Sequence, residues 1–161
     1  EGRVLCKGKI SLLARLGVGF NVNLTGKENI YLSSSILGLS KSDVDLLMDS
    51  IIDFSGIGNF IDLPLRTYSS GMRARLGFAV VSAISPETLL IDEVLSVGDQ
   101  EFRAKSQEKI LEMVEKARTV LLVSHNFGML KKISTKAILM HEGKLISVGK
   151  PDDIIEEYYT L

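Results

Sequence analysis

A continuous apolar run, Thr88–Ile91, ends in two adjacent acids, Asp92 and Glu93, and a second apolar run follows at Thr119–Val123. Strands that are apolar at every position are those covered on both faces, as in parallel sheets. Parallel neighbours need a long crossover between them, usually a helix. Asp99–Ala117 supplies one, with Phe102, Ile110, Met113, Val114 and Ala117 on one side. The second half of the chain is therefore expected to have parallel α/β architecture.

The first half has a different texture. Arg3–Cys6 and Lys9–Ala14, separated by Lys7-Gly8, predict a hairpin-like pair of strands, and Gly17–Asn21 breaks the regular structure. Thr25 with Glu28 three residues on predicts a capped helix start. Val44, Leu47, Met48 and Ile51 predict a second helix over Ser42–Phe54, ended by Gly56 and Gly58. A third starts at the serines before Gly71 and stops before Ser85-Pro86. Further on, Ala137–Met140 and Leu145–Val148 predict a hairpin around Glu142-Gly143, and Asp152–Tyr159 a closing helix behind Pro151.

Composition narrows the possible partners. A net charge of −1 gives no support to a nucleic-acid surface, which carries a basic excess. The single cysteine, Cys6, rules out an internal disulfide and fits a reducing compartment. The longest apolar stretches, Phe78–Val81 and Val120–Val123 among them, fall far short of the ~18 residues of a membrane span, and no targeting signal is expected. Membrane contact is expected to be indirect, through a partner.

Three short pieces carry chemistry. Ligands of open parallel sheets sit at the carboxyl ends of the strands. There Asp92 could hold Mg²⁺, while Glu93 orients or activates a water. A bound cation would offset the repulsion between the two acids. A plainer use is a turn cap at Asp92 and a solvated Glu93. Tyr68-Ser69-Ser70-Gly71-Met72 places hydroxyls and free N–H groups at a helix start, which makes a cap or an anion site. Gly71 would allow a phosphate close to the backbone. His125 follows a strand that should neighbour that of Asp92, where an imidazole could bond a terminal phosphate. His141 falls in a polar turn and is expected to be merely exposed. Asp99 is placed to cap the helix after Ser96-Val97-Gly98.

In this order the pieces resemble the nucleotide-binding subunits of ABC transporters. Tyr68–Met72 is similar to the signature motif LSGGQ, Leu89–Glu93 to Walker B, Ser96–Asp99 to the D-loop and His125 to the switch histidine. Gly19-Phe20, Leu24–Tyr31, Ile91–Asp99 and Gly149-Lys150-Pro151 resemble the branch that exports cell-surface polysaccharides: teichoic acids, O-antigen or capsule. The G-x-x-x-x-G-K-[ST] phosphate loop does not occur in these 161 residues.

The resemblance implies an α/β, P-loop NTPase-like ABC ATPase domain lacking the N-terminal Walker A strand and helix. Residues of about 25–85 would form a helical subdomain with the signature, and 86–161 the part with Walker B, D-loop and switch histidine. It implies an ATPase subunit that uses ATP and Mg²⁺, sits on the cytoplasmic face of the plasma membrane, and pairs with a second copy and a separate permease. No nucleic acid and no direct membrane insertion are expected. Ser69, Ser70 and Gly71 would meet ATP held mainly by the other copy. Asp92 would serve Mg²⁺, Glu93 the hydrolytic water, His125 the γ-phosphate, and Asp99 the coupling of the two sites. The family's Q-loop glutamine has no counterpart, since the only glutamines are Gln100 and Gln107, and Gly17–Asn23 occupies that region. The alternatives are a drug exporter's ATPase, an ABC-type ATPase that moves nothing, and an inert remnant. By itself the chain is expected not to turn over ATP.

Overall fold

The computed structural model describes residues 2–6, 8–13, 16–92 and 99–160. Two compact units are present, Glu1–Leu121 and Leu122–Leu161.

In the first unit, helix α1 (Gly26–Ile36) begins with a complete capping box. Glu28 N–H donates to Thr25 Oγ1 at 3.2 Å, and Thr25 N–H donates to Glu28 Oε2 at 2.8 Å. Helix α2 (Lys41–Ser55) repeats the device with Ser40 and Asp43, and ends at Gly56 in the left-handed conformation, φ 61°. Two 3-10 turns, Gly58–Asp62 and Leu65–Thr67, lead into α3 (Ser70–Ser82). From Leu76 to Ser82 every residue of α3 is buried, so its second half is surrounded on all sides. Leu76, Ala79 and Val80 enter a core with Ile30, Val44, Ile51, Leu65 and Tyr68. Phe78 turns instead to Phe54 of α2 and Phe102 of α4 (Gln100–Lys116), with all three ring centroids within 5.9 Å of one another. These contacts seat α3 between the helical block and the rest of the unit.

Gly77 explains how closely α3 approaches the Leu16-Gly17 turn. A Cβ at 77 would stand 2.5 Å from Gly17 N and 3.0 Å from the Leu16 carbonyl carbon. Only a glycine fits there.

The sheet has the order β1-β2-β3, with β1 at Ile10–Leu12, β2 at Thr88–Asp92 and β3 at Thr119–Val123. Strand β1 pairs in parallel with β2, Ile10 opposite Thr88 and Leu12 opposite Leu90. The expected hairpin of 3–6 with 9–14 is therefore wrong: residues 3–6 form no strand, and 10–12 pair with a segment far along the chain. Ser11, Leu89 and Ile91 are buried on one face, against exposed Ile10 and Leu12. Strand β3 is also less covered than its apolar sequence suggested. Thr119, Leu121 and Val123 are exposed and alternate with half-buried Val120 and Leu122. A short all-apolar run does not reveal how many of its faces are covered.

The second unit contains α5 (Phe127–Ile133), the hairpin β4 (Ala137–His141) and β5 (Lys144–Gly149), and α6 (Pro151–Tyr158). Glu142 and Gly143 both take positive φ, 48° and 75°, as a tight hairpin turn requires. Ala137, Leu139 and Ile154 form its small core with Leu130. Lys131 pairs with Asp152, and the Phe127 ring meets Tyr158 and Tyr159 edge-on, so α5 and α6 are joined at two points.

Candidate functional site

Helix α3 starts at the surface. Ser69 is its N-cap (φ −63°, ψ 164°), and its Oγ accepts the Met72 N–H at 3.1 Å. Ser69 and Ser70 are exposed and Gly71 is half-buried. The N–H groups of Ser70 and Gly71 find no acceptor among the described residues. No acid lies in the first turn. By contrast α1, α2, α4 and α6 carry Glu28, Asp43, Glu101, and Asp152 with Asp153; among the described helices only α3 and the seven-residue α5 lack one. Gly71 is equally informative, because among the described residues a Cβ there would meet only Ser69 Oγ, at 3.8 Å. Its φ is not positive either. Folding therefore does not require a glycine at 71. Outward N–H groups, the positive end of the helix dipole and a bare backbone together suit an approaching anion.

The residue before this turn is fixed from below. Tyr68 is buried, and its hydroxyl donates to the Phe60 carbonyl at 2.5 Å. Burial first, and then the nearby Asp62 carboxylate, push the phenol up to about 12, so it remains a neutral donor at any physiological pH. Gly26 makes room for it: a Cβ at 26 would lie 2.3 Å from the Tyr68 Oη.

Asp99 caps α4, with Oδ1 accepting the Phe102 N–H at 2.9 Å. Its Oδ2 lies 3.5 Å from Arg75 Nη1 on α3. The structural role expected of Asp99 is thus present, together with a link to the helix that carries Ser69. Nothing local marks Arg75 in the sequence, because its partner depends on how α3 and α4 approach. The Arg75 Nε is buried and without a hydrogen-bond partner among the described residues.

Asp92 ends β2 and is exposed. Glu93 and Ser96–Gly98 lie outside the described residues. No group of three or more His, Cys, Asp or Glu gathers among the described residues. Asp92 is the described carboxylate at this strand end that could take part in holding a metal, and Mg²⁺ needs only one or two carboxylates beside water and phosphate oxygens. His125 belongs to the second unit and is exposed, next to Ser124, whose Oγ accepts the Asn126 N–H at 3.0 Å. Asn126 in turn caps α5 through Oδ1, which accepts the Met129 N–H. His141 is exposed at the end of β4. The fold thus joins Arg75 of α3 to Asp99 at the start of α4, carries Ser69–Gly71 at the other helix start, and presents Asp92 at a strand end.

The fold is that of the ATP-binding subunits of ABC transporters. A solved ATP-binding subunit of an ABC transporter matches it with a TM-score of 0.72 at 18% identity, over 94% of this chain and 62% of that one. In sequence the chain is a homologue of the ATP-binding proteins of O-antigen and teichoic acid export systems. It is 45% identical over 158 residues to the O-antigen export system ATP-binding protein RfbB of Klebsiella pneumoniae, covering 98% of this chain and 64% of that protein. It is 42% identical over 158 residues to the teichoic acids export ATP-binding protein TagH of Listeria monocytogenes, covering 98% of this chain and 47% of that protein. The chain thus spans less than two thirds of the length of these relatives. No protein-family model matches it.

Proposed function

We propose that the chain is the signature-, Walker B- and switch-bearing part of an ATPase subunit that drives export of a cell-surface polysaccharide through a separate membrane permease. Its helical subdomain would be residues of about 25–85, and 86–161 would complete the α/β part. ATP is the substrate, and Mg²⁺ neutralises charge on its phosphates and helps align them. The phosphate loop that holds most of the ATP lies outside these 161 residues. The open start of α3 meets the γ-phosphate from the opposite copy, through the Ser69 hydroxyl and the N–H groups of Ser70 and Gly71. Asp92 serves Mg²⁺, and Glu93 orients the water that attacks the γ-phosphorus as the bond to the β–γ bridging oxygen breaks. His125 bonds the γ-phosphate, and Asp99, tied to Arg75, links the signature helix to the acid-bearing segment. ATP closes two copies because it favours the closed state, and loss of the γ-phosphate removes that preference. No described helix is long and apolar enough to cross a membrane. In this reading the permease spans the membrane and the subunit works from its cytoplasmic face.

Export is supported by the O-antigen and teichoic acid relatives, and the phosphate contact by the α3 start, acid-free and bare at Gly71. The test uses the subunit in which these residues accompany a phosphate loop. Ser69→Arg is expected to abolish ATP-dependent dimers in light scattering. Glu93→Gln is expected to keep the dimers while hydrolysis falls about 10²–10⁴-fold. Persisting dimers in the first variant, or undiminished turnover in the second, would remove that residue from its role.

A further inference from the structure

Asn29 has no exposed surface, yet its side chain makes four hydrogen bonds to one short loop. Its Oδ1 accepts the Asn21 N–H at 2.7 Å. Its Nδ2 shares two hydrogens among the carbonyls of Asn21, Leu24 and Thr25 at 3.0, 3.1 and 2.8 Å. A side-chain amide both donates and accepts in this way; Asp would set a buried carboxylate against three carbonyls, and Leu would leave the Asn21 N–H without its acceptor. The loop so held is itself bonded to the segment that leads into the signature turn. Leu65 N–H donates to Leu24 O and Arg66 N–H to Val22 O, both at 2.9 Å, and Gly26 N–H donates to Leu63 O at 3.2 Å. Thr25 and Pro64 form an isolated antiparallel bridge. Tyr68 N–H then donates to Leu65 O at 3.0 Å, one residue before the N-cap.

We propose that Asn29 is a positioning residue for the Ser69–Gly71 turn. By clamping Asn21–Thr25 onto α1 it fixes the template to which Leu63–Arg66 is bonded, and so the direction in which the turn faces. A load on the loop reaches Ser69 through backbone bonds. This role rests on the α3 start being the γ-phosphate contact.

The test compares Asn29→Asp in the phosphate-loop-bearing subunit with a core variant matched to it in Tm, Ile51→Val or Ile51→Ala. Setting a buried carboxylate against three carbonyls is expected to raise the ATP concentration for half-maximal dimerisation about tenfold or more, with maximal turnover little changed. Hydrogen exchange should accelerate at the amides of Leu65, Arg66 and Met72, while those of α2 keep their protection. The matched core variant should show neither change. An equal rise in the core variant, or none in Asn29→Asp, overturns the proposal. Should Asn29→Asp fail to fold, Asn29→Ser leaves a neutral side chain too short to reach all of the loop's groups. It is expected to shift the same ATP dependence by about threefold, and no shift overturns the proposal. Ser69→Arg, run alongside, separates the two failures. If it still dimerises with ATP, the role of the α3 start falls. If it does not, while Asn29→Asp is neutral, only the role of Asn29 falls.

Discussion

Helices α1 and α2 begin closed, and α3 begins open. Thr25 with Glu28, and Ser40 with Asp43, each bond reciprocally and place a carboxylate at the positive end of the dipole. Ser69 makes the forward bond to Met72 N–H, but nothing returns it, and no acid follows. All three starts lie in one unit and use the same hydroxyl chemistry, so the difference is not one of burial or propensity. What α3 lacks beside them is the carboxylate. A first turn without that charge, glycine-bearing and with space around it, leaves its dipole for a visiting anion to meet.

The strongest way to break this contrast is to close α3. Gly71→Glu should raise the chain's stability by about 0.5–1 kcal/mol, since glycine is a poor helix former and an acid suits a first turn. In the phosphate-loop-bearing subunit the same change should weaken ATP-dependent dimerisation on the order of 100-fold or more, by setting like charges together. Thermal melts and light scattering read the two effects. A variant that is less stable, or that still dimerises normally, would end the distinction. The reverse experiment opens α2. Ser40→Ala should cost about 1 kcal/mol in denaturant unfolding without altering the ATP dependence of dimerisation. A double-mutant cycle of Arg75→Ala and Asp99→Asn should give a smaller coupling, about 0.2–1 kcal/mol, because the carboxylate is largely exposed.

The smallest effect is expected with pH. Bonds from the Thr25 backbone and side chain lower Glu28 from its ordinary 4.5, and those from the Ser40 side chain and backbone lower Asp43 from 3.8. A carboxylate with a depressed folded value adds stability that is complete above its ordinary value and is lost as pH falls through the folded one. Melting temperatures should therefore fall with acid below about pH 4.5, and Asp43→Asn should flatten that fall. An unchanged acid slope in Asp43→Asn would show that the closed caps contribute nothing through their charge.

Elements with a local cause could be read from the chain. Thr25, Ser40, Ser69 and Asp99 cap helices within a residue or two of the expected starts, because a cap and its target N–H lie three residues apart. The turn at Glu142-Gly143 is local in the same sense. Strand β1 was misread because its partner, Thr88–Leu90, is fixed only by the tertiary fold. Arg75 and Asn29 escaped for the same reason: one depends on the meeting of α3 and α4, the other on a loop curling back over its own helix. Of the site, the serine turn, Asp92, Asp99 and His125 stood out by residue type and order. What supports the turn from beneath did not.

Gly77 and Gly17 touch with no side chain between them. Such a joint has no slack. Rotating α3 about its own axis, or sliding it by one residue, would drive Phe78 or Leu76 into the peptide of Gly17. A shift of the helix toward the turn therefore presses backbone on backbone, with no side chain to yield between them.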